Sequence, residues 1–349
     1  MDGSVEAVIV AGGLGTRLLP LTESSPKHLL PVAGVPFAVH QIAKLAAAGV
    51  RRVLLATSYQ ADRFEPVLGD GSAWGLALVY VTEVEPLGTA GAIRNVSGEL
   101  TSRAGDPVVV LNGDILSGHD LAAQLSAHRD RDADVTLHLV KVADPRAYGC
   151  VPTDAQGNVT AFLEKSPRPV SPYINAGCYV FTREIIDRIP PGEVVSVERE
   201  TFPQLVADGA RVVGHHESAY WLDVGTPQAL CRASADLVLG AASSPAYREP
   251  PAQFWTAPDA EVSPTAALTD GTSVGPGATV ADEAGLSGTL VFERAMIGRG
   301  AVVTDSVVGS GACIGAGAVL RECVLGDGVV VAPGARLERE RVANRASGT

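Results

Sequence analysis

Cysteine is scarce and falls in no pairing pattern. The chain has five in 349 residues: Cys150, Cys178, Cys231, Cys313 and Cys323. The number is odd and no C-x-x-C occurs, which argues against a disulfide scaffold and implies a reduced, cytoplasmic protein. Positive charge is also in short supply. Lys and Arg number 27 against 39 Asp and Glu, a formal charge of −12. Such a balance argues against nucleic acid as the main partner. It does not exclude a nucleotide, because a few local cations and a metal can outweigh the global field. No apolar run is long enough to span a membrane. The N-terminal apolar run lacks a basic region ahead of it and leads straight into glycines, so it reads as a core strand and not as a signal peptide.

What is present is organised around Val8–Pro31. The apolar run Ala7–Ala11 has the character of a buried parallel strand. It ends at Gly12-Gly13-Leu14-Gly15-Thr16-Arg17, where three glycines in four positions let the backbone turn and bring N–H groups close to an anion. Arg17 can fork onto phosphate oxygens, and Lys27 supplies a second cation. A P-loop would need Lys-Ser or Lys-Thr after its last glycine. A dinucleotide fingerprint would need G-x-G-x-x-G. Neither occurs here. A strand, a glycine turn and two cations suit a triphosphate.

Up to about Leu230, strand candidates (Val5–Ala11, Arg52–Thr57, Ala77–Thr82, Pro107–Leu111, Val135–Val142) alternate with helical stretches (Phe37–Ala48, Ala90–Glu99, Asp120–Arg129). This predicts an α/β domain with a mainly parallel sheet, whose ligands bind beyond the carboxyl ends of the strands. Ser234–Gln253 reads as a connecting helix and linker. Beyond Pro258 apolar residues recur every five or six positions and stack into columns. These are Val274, Val291, Val308 and Leu325; Val280, Ile297, Ile314 and Val331; Leu286, Val303, Leu320 and Leu337. Glycines 275, 298, 309, 315 and 326 follow column residues and serve the corners. This hexapeptide pattern predicts a parallel β-helix similar to the left-handed kind.

Several segments carry residues able to do chemistry. Asn112-Gly113-Asp114 ends an apolar run; a plain turn or a Mg²⁺ ligand at a strand tip both fit. Asp223, in Tyr220–Pro227, is either a helix cap or a second metal ligand. In Glu83–Gly91, the Glu85 carboxylate can accept from guanine N1–H and its 2-amino group, whereas thymine or uracil offers one N–H. His215 and His216 are adjacent, so on a strand they face opposite sides and cannot chelate one metal. His28 is expected in an exposed loop, and Cys313 and Cys323 as small buried thiols.

The motifs A-G-G-x-G-T-R-L-x-P-L-T, P-K, E-P-L-G-T-A-G, N-G-D, E-K, N-A-G and W-x-D-x-G occur here in order and resemble those of the nucleoside-diphosphate-sugar pyrophosphorylases, the sugar-1-phosphate nucleotidylyltransferases. The resemblance implies a Rossmann-like nucleotidyltransferase domain over 1–233, a connecting helix and linker over 234–257, the β-helix over 258–338 and a polar tail over 339–349. It implies that Ala11, Gly12, Gly13, Gly15, Thr16, Arg17, Glu85, Gly88 and Thr89 bind the nucleotide. It assigns Gly149, Glu164, Lys165 and Asn175 to the sugar phosphate, Mg²⁺ to Asp114 and Asp223, and catalysis to Arg17, Lys27, Asp114 and Asp223. Ser196–Pro203 resembles S-x-E-x-x-x-F-P of mannose-1-phosphate guanylyltransferases, with no role assigned to Glu198. GTP with mannose-1-phosphate is the expected pair, and glucose-1-phosphate with dTTP, UTP or ATP the alternative. A non-catalytic regulatory subunit is the competing class; it predicts a damaged site, whereas Arg17, Lys27, Asp114, Lys165 and Asp223 are all present. Some relatives carry an acyltransferase site in the β-helix, which needs a histidine base. None follows His216, so the β-helix is expected to be structural, regulatory or oligomerising, in a homo-oligomer without nucleic-acid or membrane partners.

Overall fold

The computed structural model describes residues 5–163 and 168–344. Its contacts divide the chain into two compact units. The first comprises the chain up to Gly13 together with Gln41–Trp221, and the second comprises Leu14–His40 together with the chain from Leu222. The segment after the first strand, carrying Gly15, Arg17 and Lys27, therefore clusters with the β-helix, although sequence order sets it in the α/β domain.

The first unit is built on one seven-stranded sheet. Its strands are β1 (Glu6–Ala11), β2 (Arg52–Thr57), β3 (Ala77–Thr82), β4 (Pro107–Asn112), β5 (Val135–Lys141), β6 (Tyr173–Thr182) and β7 (Val212–His216), in the order β7-β5-β6-β4-β1-β2-β3. Strand β1 runs parallel to β2 and β4, β2 to β3, and β5 to β7. Strand β6 is antiparallel to both neighbours. The near-continuous Val, Ile and Leu runs of β1, β2 and β4 are buried, as parallel strands covered on both faces must be. The helix Leu121–Asp130 starts where Asp120 Oδ1 accepts from Ala123 N at 3.0 Å, an N-cap that satisfies an otherwise orphaned donor. The expected strands appear within a residue of their predicted ends. Strand β6 was not anticipated. Its pairing with β5 jumps from Leu137↔Tyr179 to Leu139↔Asn175, so the chain between Asn175 and Tyr179 forms a bulge.

In the second unit, three ladders of short parallel strands wind as a β-helix that fits the left-handed hexapeptide class. The predicted columns are the observed registers. Val274 pairs with Val291, Val291 with Val308 and Val308 with Leu325. Val280, Ile297, Ile314 and Val331 form the second face, and Leu286, Val303, Leu320 and Leu337 the third. Apart from half-buried Leu337, these side chains form one buried core, each worth roughly 1.5–3 kcal/mol relative to exposure. Gly309 shows why some corners lack a side chain: a Cβ there would lie 2.6 Å from the carbonyl carbon of Gly326 on the next coil. The ladder also runs past the expected limit at 338. Arg341–Val342 pairs with Val324–Leu325, because Val342 continues the apolar column and packs on the core.

Two further expectations are corrected. The helix Pro227–Val238 crosses the expected boundary at 233, since Thr226 caps it and Leu230, Ala233, Ser234 and Leu237 all lie on its buried side. His28 is 1% exposed, in a turn between buried Pro26 and Leu29. Cys323 is buried as expected, Cys313 is half-buried, and all five thiols are free. No helix among the described residues is long and apolar enough to cross a membrane.

Candidate active site

In the first unit, β1 to β4 end on one edge of the sheet, where Ala11 aligns with Thr57 and Thr57 with Thr82. The loops leaving that edge carry the candidate residues. Ala11 is buried and closes β1. Gly12 follows, and its carbonyl accepts from Ser58 Oγ at 2.5 Å. A Cβ on Gly12 would stand 3.0 Å from Ser58 Oγ and 3.4 Å from Glu83 Oε2, so both side chains pack closely on this glycine. Gly13 is exposed. Gly113 N donates to Val10 O at 3.0 Å, which sets Asn112-Gly113-Asp114 beside the end of β1.

Glu83 is the residue that sequence reasoning passed over. It is 6% exposed, burial raises its carboxyl above the usual range, and its Oε1 has no hydrogen-bond partner. Its Oε2 accepts a long bond from Leu87 N at 3.5 Å. Glu85, the residue expected to read the base, is exposed. The available signal was position: Glu83 directly follows the last residue of β3, on the rim where ligands bind.

Gly88 and Thr89 serve the loop's own architecture. Gly88 has φ +73°, and a Cβ there would lie 2.6 Å from Val195 O. Thr89 Oγ1 donates to Glu198 Oε2 at 3.0 Å and accepts from Val197 N at 2.8 Å. Glu198 lies in a π-helical turn, Val197–Thr201, and also accepts from Ser196 Oγ at 3.1 Å and Tyr179 OH at 3.3 Å. Asn175 Nδ2 in turn donates to Tyr179 OH at 2.8 Å, while Asn175 Oδ1 accepts from Gly177 N at 3.0 Å. The bulge thus turns Asn175 into a chain of hydrogen bonds that ends at the base loop. Next to it, Trp221 Nε1 donates to Ala176 O at 2.9 Å, and the Trp221 ring meets Tyr148 edge-on at 5.5 Å, beside half-buried Gly149. Glu164 and Lys165 lie outside the described residues.

In the second unit, Gly15 has φ +65° and opens a 3-10 turn, Thr16–Leu18. A Cβ on Gly15 would lie 3.2 Å from Lys27 Cβ and 2.9 Å from Thr22 Cγ2, so this glycine seats the Lys27 stem against the turn. Thr22 Oγ1 donates to Gly15 O at 3.0 Å and closes the loop. Thr16 and Arg17 are exposed. Gly225 supplies a second close approach: a Cβ there would collide with the Arg17 guanidinium and lie 2.8 Å from Asp223 Oδ1. The glycine turn and the W-x-D-x-G segment therefore meet, with the Arg17 guanidinium and the Asp223 carboxylate both crowding the Cα hydrogen side of Gly225 where a Cβ would stand.

Asp114 belongs to the first unit and Asp223 to the second. Both offer hard oxygen donors suited to Mg²⁺. The described residues contain no cluster of three or more His, Cys, Asp or Glu side chains able to hold a metal. A Mg²⁺ ion held by one or two carboxylates and by substrate phosphates needs no such cluster.

Comparison with known proteins identifies the family. The nucleotidyl transferase family matches residues 6–238, and the GMPPB C-terminal domain matches residues 252–346. A mannose-1-phosphate guanylyltransferase of Mycobacterium tuberculosis is 52% identical over 299 residues, covering 85% of this chain and 82% of that protein. The catalytic subunit beta of the Drosophila pseudoobscura mannose-1-phosphate guanylyltransferase is 35% identical over 229 residues, which span 65% of this chain and 61% of the relative. The structure of HddC from Yersinia pseudotuberculosis complexed with GMP-PN superposes with a TM-score of 0.56 at 29% identity, covering 66% of this chain and 98% of that one. The chain belongs to the nucleotidyl transferase family.

Proposed function

We propose that this chain transfers GMP from GTP to mannose-1-phosphate, releasing pyrophosphate and forming GDP-mannose. The observation that carries the reading is the seating of Arg17 against Gly225 beside Asp223, with Lys27 seated against Gly15 on the same loop. Two cations and a carboxylate held by close backbone approaches suit a triphosphate. The half-identical mycobacterial relative and the guanine nucleotide bound to HddC favour GTP and mannose-1-phosphate.

A phosphate oxygen of the sugar phosphate attacks the α-phosphorus in line; the bond to the bridging oxygen breaks, and pyrophosphate leaves with that electron pair. The protein contributes positioning and charge neutralisation. Arg17 and the glycine turn hold the β- and γ-phosphates. Lys27 neutralises charge around the attacked phosphate. Asp114 and Asp223 are the carboxylates that would hold Mg²⁺, which would supply charge neutralisation. Lys165 holds the sugar phosphate and Glu164 its hydroxyls. Tyr148-Gly149 and the Asn175 bulge shape the sugar side. Glu83, in place of exposed Glu85, is the carboxylate we assign to guanine: its Oε2 lies beside Gly12, its Oε1 has no hydrogen-bond partner, and guanine N1–H and 2-amino are two donors on one edge.

The five free thiols fit a reducing, cytoplasmic setting. The test of the reaction is pyrophosphate release with Mg²⁺ across GTP, dTTP, UTP and ATP, each with mannose- and glucose-1-phosphate. A strong response confined to GTP and mannose-1-phosphate is expected. Silence across the grid and across further sugar phosphates would favour a binding subunit.

A further inference from the structure

The β-helix touches the glycine-rich segment through its last coils, and it does so by specific polar contacts. Arg341 Nη1 donates to the carbonyl of Arg17 at 2.9 Å and to that of Leu19 at 3.4 Å. Ser24 Oγ donates to Asp327 Oδ2 at 2.6 Å. The other oxygen, Asp327 Oδ1, accepts from Ser310 N at 2.9 Å, which fixes the carboxylate to the preceding coil. Between these anchors, Pro20 lies against Gly326: a Cβ on Gly326 would stand 3.2 Å from both Cβ and Cγ of Pro20.

The register explains why Arg341 is the residue that reaches. It stands opposite Val324, which stands opposite Val307 and then Leu290, and all three of those side chains are buried. The apolar column ends in a cation at the last rung. A guanidinium there offers several donors in a fixed fork, so it can hold two carbonyls of one turn. One of those carbonyls belongs to Arg17 itself. The contact therefore sets the backbone from which the triphosphate-binding guanidinium projects.

We propose that Arg341 and Asp327 are positioning residues for nucleotidyl transfer, and that the final coils of the β-helix hold the Arg17–Ser24 backbone in its substrate-binding form. This rests on the proposed function for its kinetic consequence, whereas the hold on the loop has a readout of its own. The β-helix then acts on catalysis within one chain, and not only as a stack of structural coils.

The test uses the full chain with Arg341→Ala, Arg341→Lys, Asp327→Ala and, as a control on another face of the same coil, Arg336→Ala. Pyrophosphate release would give kcat and KM separately for GTP and mannose-1-phosphate. Amide hydrogen exchange over residues 14–30 and thermal unfolding would accompany it. Expected for Arg341→Ala and Asp327→Ala is a fall of about tenfold or more in kcat/KM for GTP, with a much smaller change in KM for mannose-1-phosphate. Exchange in the loop should quicken while the melting temperature stays near that of the parent. Arg341→Lys should recover part of the loss, and Arg336→Ala should behave as the parent. Parent-like GTP kinetics and loop exchange in both alanine variants would overturn the proposal. So would a uniform loss that simply follows a lowered melting temperature. If the parent chain releases no pyrophosphate with any substrate pair, the functional reading fails, and loop exchange alone decides whether these residues hold the segment.

Discussion

Thr89 and Glu198, 109 positions apart, are joined by a 3.0 Å hydrogen bond that ties the base loop to the π-helical turn. The carboxylate holds Tyr179 with its other oxygen, and Tyr179 holds Asn175. Tyr179 is fully buried, so its hydroxyl needs both partners. The network links the segment expected to meet the base with the segment expected to meet the sugar.

Glu198→Gln replaces one accepting oxygen with an amide that faces hydroxyl donors. The expected cost is about tenfold in kcat/KM, from the loss of one charge-assisted hydrogen bond. Thr89→Val should cost a similar amount. Because the two side chains share one bond, the double variant should lose clearly less than the sum of the single losses. Additive losses would show that the bond does not couple the two loops.

Glu83 and Glu85 separate by selectivity. Glu83→Gln keeps the size but turns one acceptor into a donor, opposite the guanine N1–H or 2-amino group. The expected result is a fall of about a hundredfold in kcat/KM for GTP, in line with the penalty for an unmatched polar edge, with a smaller fall for ATP. Glu85→Gln should leave the ratio unchanged. Steady-state rates with both nucleotides decide between the two carboxylates, and a reversed outcome would restore Glu85 as the reader.

The β-helix registers were legible from sequence because an apolar residue at every fifth or sixth position leaves few ways to stack one coil on the next. The parallel strands were legible for a similar local reason: short Val- and Leu-rich runs separated by helices. What escaped depends on distant partners. Strand β6 carries a bulge between Asn175 and Tyr179 whose geometry comes from its pairing with β5, not from the local sequence itself. Glu83 and Glu85 have the same chemistry, and only the folded chain makes one buried and the other exposed. The contacts of Arg341 with Arg17 cross more than three hundred residues, beyond the reach of any periodicity.

Lys27 and Asp114 probe the charge neutralisation itself. Removing one preorganised electrostatic contact costs on the order of 3 kcal/mol, about a hundredfold or more in rate. Lys27→Ala and Asp114→Asn should each reduce kcat by that amount or more. Neither change touches the main sheet core, so far-ultraviolet circular dichroism and the melting temperature should stay close to the parent. Near-normal turnover in both variants would remove them from the catalytic roles assigned here.

Acid should destabilise the fold, through histidines buried in their neutral form. His119 packs face to face with His138 at 3.9 Å. His119 Nδ1 lies 2.9 Å from Lys44 Nζ and 2.8 Å from Ser117 Oγ, while its Nε2 faces Gln124 Oε1 at 3.0 Å. With Lys44 protonated, Nδ1 accepts and Nε2–H donates to the amide oxygen. Burial pushes His119 down to about 2, with further depression from Lys44 and His138. His138 is pushed down to about 3 by burial, helped by Lys44 and by His215, its register neighbour on β7. Burial also lowers His40 and His128 to about 4. In the unfolded chain these groups take up protons near pH 6.5. Between that value and their folded values the unfolded state binds more protons, so stability is full above about pH 6.5 and declines as the pH falls. Each such histidine contributes a slope of up to about 1.4 kcal/mol per pH unit in that window. His138 isolates one contribution, because neither of its ring nitrogens has a hydrogen-bond partner to lose. His138→Phe keeps an aromatic ring against His119 and removes the titration. Urea unfolding from pH 7.5 to pH 5 should show a slope shallower by nearly one proton in the variant, with stability at pH 7.5 equal to or above that of the parent. An unchanged slope would mean that His138 takes up its proton in the folded chain as readily as in the unfolded one.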